Sequence, residues 1–181
     1  MPSPLPTSCS ETVARPRRVE FQPGVILECL RRHEVDFVLI GGLAGMALGS
    51  ALPSFDVDIA YARDIPNLER LKEALRELRV TLRGAPPGLP FQLDAKTLKS
   101  GAMFTFDTPY GSLDILTDPN GAPSYDQLKA AGSDLEVEGV TVRVASIDHL
   151  IAMKQSTGRS KDEYMAQEYR GLSDVLRAPR D

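Results

Sequence analysis

Hydrophobic residues near the start of the chain follow first a helical spacing and then a continuous run. Residues 23 to 33 place apolar side chains three and four positions apart, which predicts an amphipathic helix. Residues 36 to 40, Asp-Phe-Val-Leu-Ile, are typical of a strand buried on both faces. Gly41 and Gly42 end this strand, and the short apolar segment 43 to 49 follows. We therefore expect the two glycines at the N-terminus of a helix.

A second strand, over residues 54 to 61, alternates between apolar and acidic positions. Its apolar face holds Phe55, Val57 and Ile59. Asp56 and Asp58 lie on the other face, because successive side chains of a strand point in opposite directions. The pattern predicts two carboxylates about 7 Å apart on one face of a sheet.

The middle of the chain contains a further helix and two strands. Asp64 and Pro66 are typical of a helix start, and a short strand is expected near Val80. The leucines of this helix are Leu68, Leu71, Leu75 and Leu78. The loop over residues 84 to 90 is rich in glycine and proline and could border a pocket. Residues 102 to 106 and 112 to 116 are predicted to be strands around a five-residue turn, with Asp114 inside the second strand.

The C-terminal third combines a hairpin with two helices. Residues 135 to 137 and 140 to 144 form the predicted hairpin around Glu138 and Gly139. Ser146 is expected to cap the next helix. The last helix carries Met165, Tyr169, Leu172 and Leu176 at helical spacing. The whole pattern predicts a mixed α/β (α+β) fold, in which a mixed β-sheet is flanked by helices and followed by C-terminal helices.

Composition indicates one ordinary globular domain. The chain has 181 residues, of which 42% are hydrophobic and 25% charged. We expect a flexible proline-rich arm over residues 1 to 20 and a single domain over residues 21 to 181. The net charge of -4 argues against a surface that binds nucleic acid throughout, so any such contact is expected to be local.

A cytoplasmic location is expected. The arm has no basic start followed by an apolar run, so it does not resemble a signal peptide. The uncharged segment 37 to 55 is nearly long enough to span a bilayer, but four glycines and a proline interrupt it, and no membrane association is expected. Cys9 and Cys29 lie in unlike segments, so they are not expected to form a disulfide.

Acidic residues are the main candidates for chemistry. Asp56 and Asp58 offer the oxygen ligands that Mg²⁺ prefers, with Mn²⁺ as an alternative ion, although an Asp-x-Asp pair alone also occurs on solvated strand faces. Asp114 lies in an apolar strand, so it needs a partner, which is either a metal ion or a Lys or Arg. Gly41 and Gly42 would let backbone N–H groups meet a phosphate, but a tight turn also favours glycine.

Cationic residues follow in the C-terminal third. Lys154 lies on a predicted helix, and Arg159 and Lys161 come soon after, so the three could bind a triphosphate or leaving pyrophosphate. The alternative is that these cations stabilise a helix C-terminus. The two histidines, His33 and His149, show no paired Cys or His spacing, so neither structural zinc nor a hydrolytic triad is expected.

Three of these segments together resemble the DNA polymerase β-like nucleotidyltransferase superfamily. Its signature of a hydrophobic residue, two small residues, a spacer and Asp-hydrophobic-Asp corresponds to residues 40 to 42, thirteen intervening residues, and residues 56 to 58. Residues 108 to 116, 150 to 154 and 158 to 162 are similar to the small bacterial branch that includes the AbiEii and MenT toxins. The resemblance extends over residues 36 to 165.

The resemblance implies an activity and a role for each site residue. Asp56 and Asp58 would hold the Mg²⁺ ions that bridge the phosphates of an NTP, and Asp114 would complete the second metal site and help to activate the acceptor hydroxyl. The nucleotide would be bound by Gly41, Gly42, Ser54, Lys154 and Arg159. Leu52 stands where many relatives carry Arg, so one expected phosphate or acceptor contact is absent.

Three functions remain open at the level of sequence. The toxin-like branch implies transfer of NMP from an NTP to the tRNA 3′ end, with an antitoxin protein as a partner. A small-molecule transferase that modifies antibiotics would keep the same fold and change the acceptor. A non-catalytic module that binds nucleotide or a partner is the third, although all three acids are present.

Overall fold

A computed structural model describes residues 20–86 and 91–178. The helices are α1 Pro23–Arg32, α2 Gly41–Ala47, α3 Ile65–Glu77, α4 Ala95–Ser100, α5 Tyr125–Ala131, α6 Ile147–Ser156 and α7 Ser160–Arg177. The strands are β1 Phe37–Ile40, β2 Asp56–Tyr61, β3 Thr81–Leu82, β4 Met103–Thr108, β5 Gly111–Leu116, β6 Ser133–Val137 and β7 Val140–Val144. The predicted mixed α/β fold is confirmed.

The strands form one mixed sheet in the order β3-β4-β5-β2-β1-β7-β6. β2 pairs with β5 in parallel, and β1 pairs with β7 in parallel, while the other neighbours are antiparallel. The central strands β5, β2 and β1 are therefore brought together from distant parts of the chain. This centre carries the acidic residues.

The core lies around the central strands. All four residues of β1 are buried, which agrees with its continuous apolar sequence. In β2, Val57 and Ile59 are fully buried, whereas Asp56 and Asp58 on the other face are half-buried. The alternation predicted for β2 is confirmed at these four positions. Phe55 is an exception, because it precedes the strand and is 73% exposed.

Capping residues define several helix starts where the sequence predicts them. The side chain of Asp64 accepts a hydrogen bond from the backbone N–H of Asn67 at the start of α3. Ser146 does the same for His149 at the start of α6. The hairpin β6–β7 turns through Glu138 and Gly139, whose φ angles of 51° and 79° suit a two-residue turn.

The turn between β4 and β5 is tighter than predicted. Thr108 pairs directly with Gly111, so two residues connect the strands instead of five. The hydroxyl of Thr108 accepts a hydrogen bond from the N–H of Tyr110 and donates one to the carbonyl of Gly111. Gly111 itself has a φ of 126°, which favours glycine. This side-chain bonding lets both strands extend further than their apolar pattern indicates.

Other differences concern short elements. Helix α2 begins at Gly41, two residues earlier than predicted, because both glycines form its first turn. The sequence analysis missed α4 and α5, which have six and seven residues and bury few apolar side chains each. Most of the arm, residues 1 to 19, and residues 87 to 90 of the predicted loop lie outside the described residues. In the described part of the chain, no helix is long and apolar enough to cross a membrane.

Candidate active site

Three carboxylates converge at the centre of the sheet. The parallel register places Asp58 of β2 directly beside Asp114 of β5, and Asp56 lies two residues along the same face. Carboxylate oxygens of the three residues all lie within 4.8 Å of one another. Oxygen ligands at this separation suit hard divalent cations such as Mg²⁺. The arrangement could hold a metal ion.

Negative charge is concentrated in this cluster. Burial, followed by the charges of Asp56 and Asp114, raises the pKa of Asp58 to about 7, against the opposing charges of Lys154 and Arg83. Burial also raises the pKa of Asp114, although the Arg83 guanidinium opposes that shift. A divalent cation would relieve this repulsion, so the chemistry of the donor set fits a metal site.

The first turn of α2 packs directly against the acidic strand. Gly41 has a φ of 71°, and a Cβ at this position would lie 2.0 Å from Asp58 Oδ2. A Cβ at Gly42 would lie 2.6 Å from Ser54 Oγ. Ser54 in turn donates a hydrogen bond to Asp56 Oδ1 at 2.9 Å. Only glycines let the first turn of α2 pack this closely against Asp58 and Ser54.

Lys154 lies at the edge of the same site. Its Nζ lies 3.1 Å from Asp162 Oδ1, and Thr157 Oγ1 donates a hydrogen bond to the other oxygen of Asp162 at 2.7 Å. The positive charge of Lys154 also lowers the pKa of Asp58, so the ammonium acts on the carboxylate cluster. The pair with Asp162 holds Lys154 between α6 and α7.

The sequence matches no protein-family model and no curated protein, but the fold is similar to solved structures. One is the lincosamide antibiotic adenylyltransferase LnuA with lincomycin bound, with a TM-score of 0.57 and 14% identity over 83% of this chain and 95% of that chain. Another is the antibiotic-resistance factor ANT(2'')-Ia, with a TM-score of 0.54 and 14% identity. The match covers 85% of this chain and 82% of that chain. A nucleotidyltransferase-like protein from Paracoccidioides brasiliensis has a TM-score of 0.51 and 18% identity. This match covers 83% of this chain and 73% of that chain. The chain has a nucleotidyltransferase fold.

Within this nucleotidyltransferase fold, Arg83 is a site residue that sequence reasoning missed. Its guanidinium lies 2.7 Å from Asp114 Oδ1 and 3.1 Å from Asp107 Oδ1, and it also donates to the carbonyl of Phe106. The sequence indicated that Asp114 needs a cation or a metal ion. It did not indicate which cation, because Arg83 reaches the site through the pairing of β3 with β4.

Helix α7 covers the glycine turn in this nucleotidyltransferase fold. Tyr169 donates a hydrogen bond to the carbonyl of Gly41 at 3.5 Å. A Cβ at Gly45 would lie 2.2 Å from the Tyr169 hydroxyl, so this glycine permits the close packing. Burial, followed by the charge of Asp58, raises the pKa of Tyr169 to about 12. The last helix therefore helps to position the turn that faces the carboxylates.

Arg159 and Lys161 lie elsewhere than the sequence analysis expected. Helix α6 ends at Ser156, and both cations belong to the exposed start of α7. Stabilisation of a helix C-terminus therefore does not explain them. Leu52, at the position where the sequence analysis expected an Arg contact to be absent, is partly buried and packs against the hydrophobic core.

Proposed function

We propose that this protein is a metal-dependent nucleotidyltransferase that moves a nucleoside monophosphate from an NTP to an acceptor. The observation that carries the proposal is the convergence of Asp56, Asp58 and Asp114 on adjacent strands, with oxygens within 4.8 Å of one another. The glycine turn of α2 and the Lys154 ammonium flank these carboxylates. This combination offers groups for a metal ion, for phosphates and for the negative charge that develops during transfer.

Asp56, Asp58 and Asp114 would hold Mg²⁺, with Mn²⁺ as an alternative. When bound, two such ions would stabilise charge on the attacking and leaving oxygens of the transfer. The fit rests on three oxygen donors and on the crowded charge that raises the pKa of Asp58. Ser54 holds the Asp56 carboxylate in place through its hydrogen bond.

The chain's own residues then have distinct tasks in the transfer. The N–H groups of Gly41 and Gly42 and the Lys154 ammonium would bind the triphosphate and position its α-phosphorus. The acceptor hydroxyl oxygen forms a bond to that phosphorus as the bond to the bridging oxygen breaks, and pyrophosphate leaves. Asp114 would receive the hydroxyl proton, and Arg83 would keep Asp114 oriented through their ion pair.

The first candidate acceptor is the tRNA 3′ end. The motifs over residues 108 to 116, 150 to 154 and 158 to 162 support it through their similarity to AbiEii and MenT toxins. Arg159 and Lys161, exposed at the start of α7 near Lys154, provide a local cationic surface for a phosphate backbone despite the net charge of -4. In this version the protein is the toxin of a toxin–antitoxin pair, and an antitoxin protein is its partner.

A small-molecule acceptor is the second candidate, and the solved structures favour it. Two similar proteins, LnuA and ANT(2'')-Ia, are named for modification of or resistance to antibiotics. Both have the same fold and a length close to that of this chain, as shown by the coverage of 95% and 82%. In this version a lincosamide or aminoglycoside hydroxyl takes the place of the tRNA 3′ end.

Label transfer from each of the four α-labelled NTPs tests the proposal directly. The protein is incubated with Mg²⁺ and either total tRNA, a lincosamide or an aminoglycoside, and the products are separated. We expect label in one acceptor class with the wild type and none with Asp58→Asn. Asp126→Asn, which removes an exposed carboxylate from α5, should keep full activity and serves as the matched control.

The outcomes separate the candidates. Label in tRNA supports the toxin version, and label in a drug supports the resistance version. Pyrophosphate release that continues in Asp58→Asn would contradict the assigned metal site. If no acceptor is labelled and no NTP is consumed under any condition, transferase activity is contradicted and a non-catalytic binding module becomes the better explanation.

A further inference from the structure

A second cluster of potential metal ligands lies away from the carboxylates, between α1 and α3. Cys29 and His33 are four residues apart on α1 and its C-cap, so they lie on one face. Glu77 is the last residue of α3, which packs beside α1. The Cys29 sulfur, a ring nitrogen of His33 and a carboxylate oxygen of Glu77 all lie within 4.8 Å of one another.

We propose that Cys29, His33 and Glu77 form a binding site for a zinc-class ion. One sulfur, one nitrogen and one oxygen ligand are a donor set for zinc, whereas Mg²⁺ prefers oxygen ligands alone. The sequence analysis expected no zinc because it sought paired Cys or His residues in sequence. Here the third ligand comes from a different helix, which only the packing of α1 against α3 brings into place.

Two helix C-termini and one arginine surround this cluster. The C-terminal ends of α1 and α3 meet here, and helix C-termini carry partial negative charge. Arg32 pairs with Glu77 Oε1, while Glu77 Oε2 lies 2.8 Å from His33 Nε2. A bound ion would replace the contact between His33 and Glu77 Oε2, while Arg32 keeps the carboxylate oriented through Oε1.

The site is accessible through a cavity of about 670 Å³, whose lining includes Cys29 and Glu77. The rest of the charged lining is mixed, with Glu28 and Glu138 on one side and Arg32 and Arg79 on the other. A three-ligand zinc site keeps an open position, and water from the cavity would fill it. The thiol of Cys29 makes a long contact to the carbonyl of Ala74, at 3.7 Å, and also lies within reach of Arg32 and Glu77. A bound ion would replace these weak contacts of the sulfur.

Proton release accompanies binding at this site. Burial, followed by the charge of Glu77, raises the pKa of the Cys29 thiol to about 11. The metal ion must therefore displace a proton from the sulfur to form the thiolate bond. A bound ion would link the end of α1 to the end of α3 and so stabilise the packing of the two helices.

Titration of the full-length, metal-free and reduced protein with Co²⁺ and Zn²⁺ tests the site. We expect Co²⁺ to produce a thiolate-to-cobalt charge-transfer absorption, and Zn²⁺ to displace it with a dissociation constant below about 10 µM. Cys29→Ser should abolish the absorption. Because Cys29 is buried, His33→Asn and Glu77→Gln at the more exposed positions are the second variants, and each should weaken Zn²⁺ binding at least about tenfold.

Matched control variants show whether the bound ion is held by Cys29, His33 and Glu77 or by other residues. Glu73→Gln removes an exposed carboxylate one turn earlier in α3, and Cys9→Ser removes the other thiol, so both should bind Zn²⁺ as the wild type does. Asp58→Asn should also keep the cobalt absorption, which makes the result independent of the proposed transferase activity. Zinc binding weaker than about 10 µM, or an absorption that survives Cys29→Ser, overturns the proposal.

Discussion

Arg83 lies 2.7 Å from the carboxylate of Asp114 and provides the countercharge for the third acid of the candidate active site. The Asp114 side chain is 13% exposed and that of Arg83 is 35% exposed, so water screens their attraction only in part. Arg83 and a metal ion therefore compete for the same negative charge. The strength of metal binding depends on this competition.

Arg83→Gln should tighten binding of divalent ions at pH 8. The substitution removes a unit positive charge beside Asp114. Because Arg83 is partly exposed and water screens that charge, we expect an affinity only about fivefold higher. Titration with Mn²⁺ followed by calorimetry or electron paramagnetic resonance measures the effect. Arg76→Gln, which removes an exposed charge from α3, should leave affinity unchanged. Weaker binding in Arg83→Gln would contradict this competition. It would show that the guanidinium mainly organises the carboxylates for the metal ion.

Gly41→Ala should abolish both metal binding and transfer. Its Cβ would meet Asp58 Oδ2 at 2.0 Å, and its φ of 71° is unfavourable for alanine. Gly84 provides a matched control because its φ is 72° with no atom within 4 Å of the added Cβ. Gly84→Ala should lose about 1 kcal/mol of unfolding free energy but keep metal affinity. Equal metal affinity in the two variants would contradict the close packing of α2 on Asp58.

The unfolding free energy of the metal-free protein should fall as pH rises from about 4 to about 7. In that window the folded state retains a proton on Asp58, whose pKa is about 7, while the unfolded state has lost it. Asp58→Asn removes this cost and should stabilise the metal-free protein at pH 8 by about 4 kcal/mol. Urea denaturation at pH 4.5 and pH 8 measures the difference.

At pH 4.5 the wild type and Asp58→Asn should have similar stability, because the carboxyl is protonated in the folded state. Asp126→Asn, which removes an exposed carboxylate of α5, is the matched control. A destabilised Asp58→Asn at pH 8 would show that the carboxylate makes favourable contacts that outweigh the crowding of negative charge.

Lys154→Gln should lower kcat/KM for NTP by about a hundredfold, because it removes a cation beside the phosphate site. Asp162→Asn leaves that cation in place and removes the carboxylate charge that Lys154 and Thr157 contact, so a loss below about tenfold is expected. Steady-state kinetics with varied NTP measures both. Lys72→Gln on α3 is the control for charge removal. A larger loss in Asp162→Asn than in Lys154→Gln would contradict a direct role for Lys154.

Sequence patterns predicted those features that depend on neighbouring residues. The alternation in β2 placed Asp56 and Asp58 on one face, and the charge within an apolar strand identified Asp114 as a buried acid in need of a partner. The position of its partner, Arg83, depends on strand pairing, so no pattern of neighbouring residues indicates it. The same holds for the Cys29 and Glu77 contact, because it arises from packing between two helices.

Short elements were predicted least well, for physical reasons. Helices α4 and α5 are too short for a 3.6-residue period to be visible, and each begins with a side-chain cap, from Asp94 and Ser124. The tight turn after Thr108 depends on a hydroxyl that bonds to the backbone on both sides of it. A single polar side chain specifies this bonding, so the spacing of apolar residues does not reveal the turn.

The parallel pairing of β2 with β5 also has a consequence for how the protein folds. All of α3, β3, α4 and β4 lies between Asp58 and Asp114 in the chain, yet the two residues are direct neighbours in the sheet. A chain that has not closed this long-range pair has no complete carboxylate cluster. Metal affinity at the cluster would then report completion of the central sheet, and a divalent ion would stabilise the finished fold over its precursors.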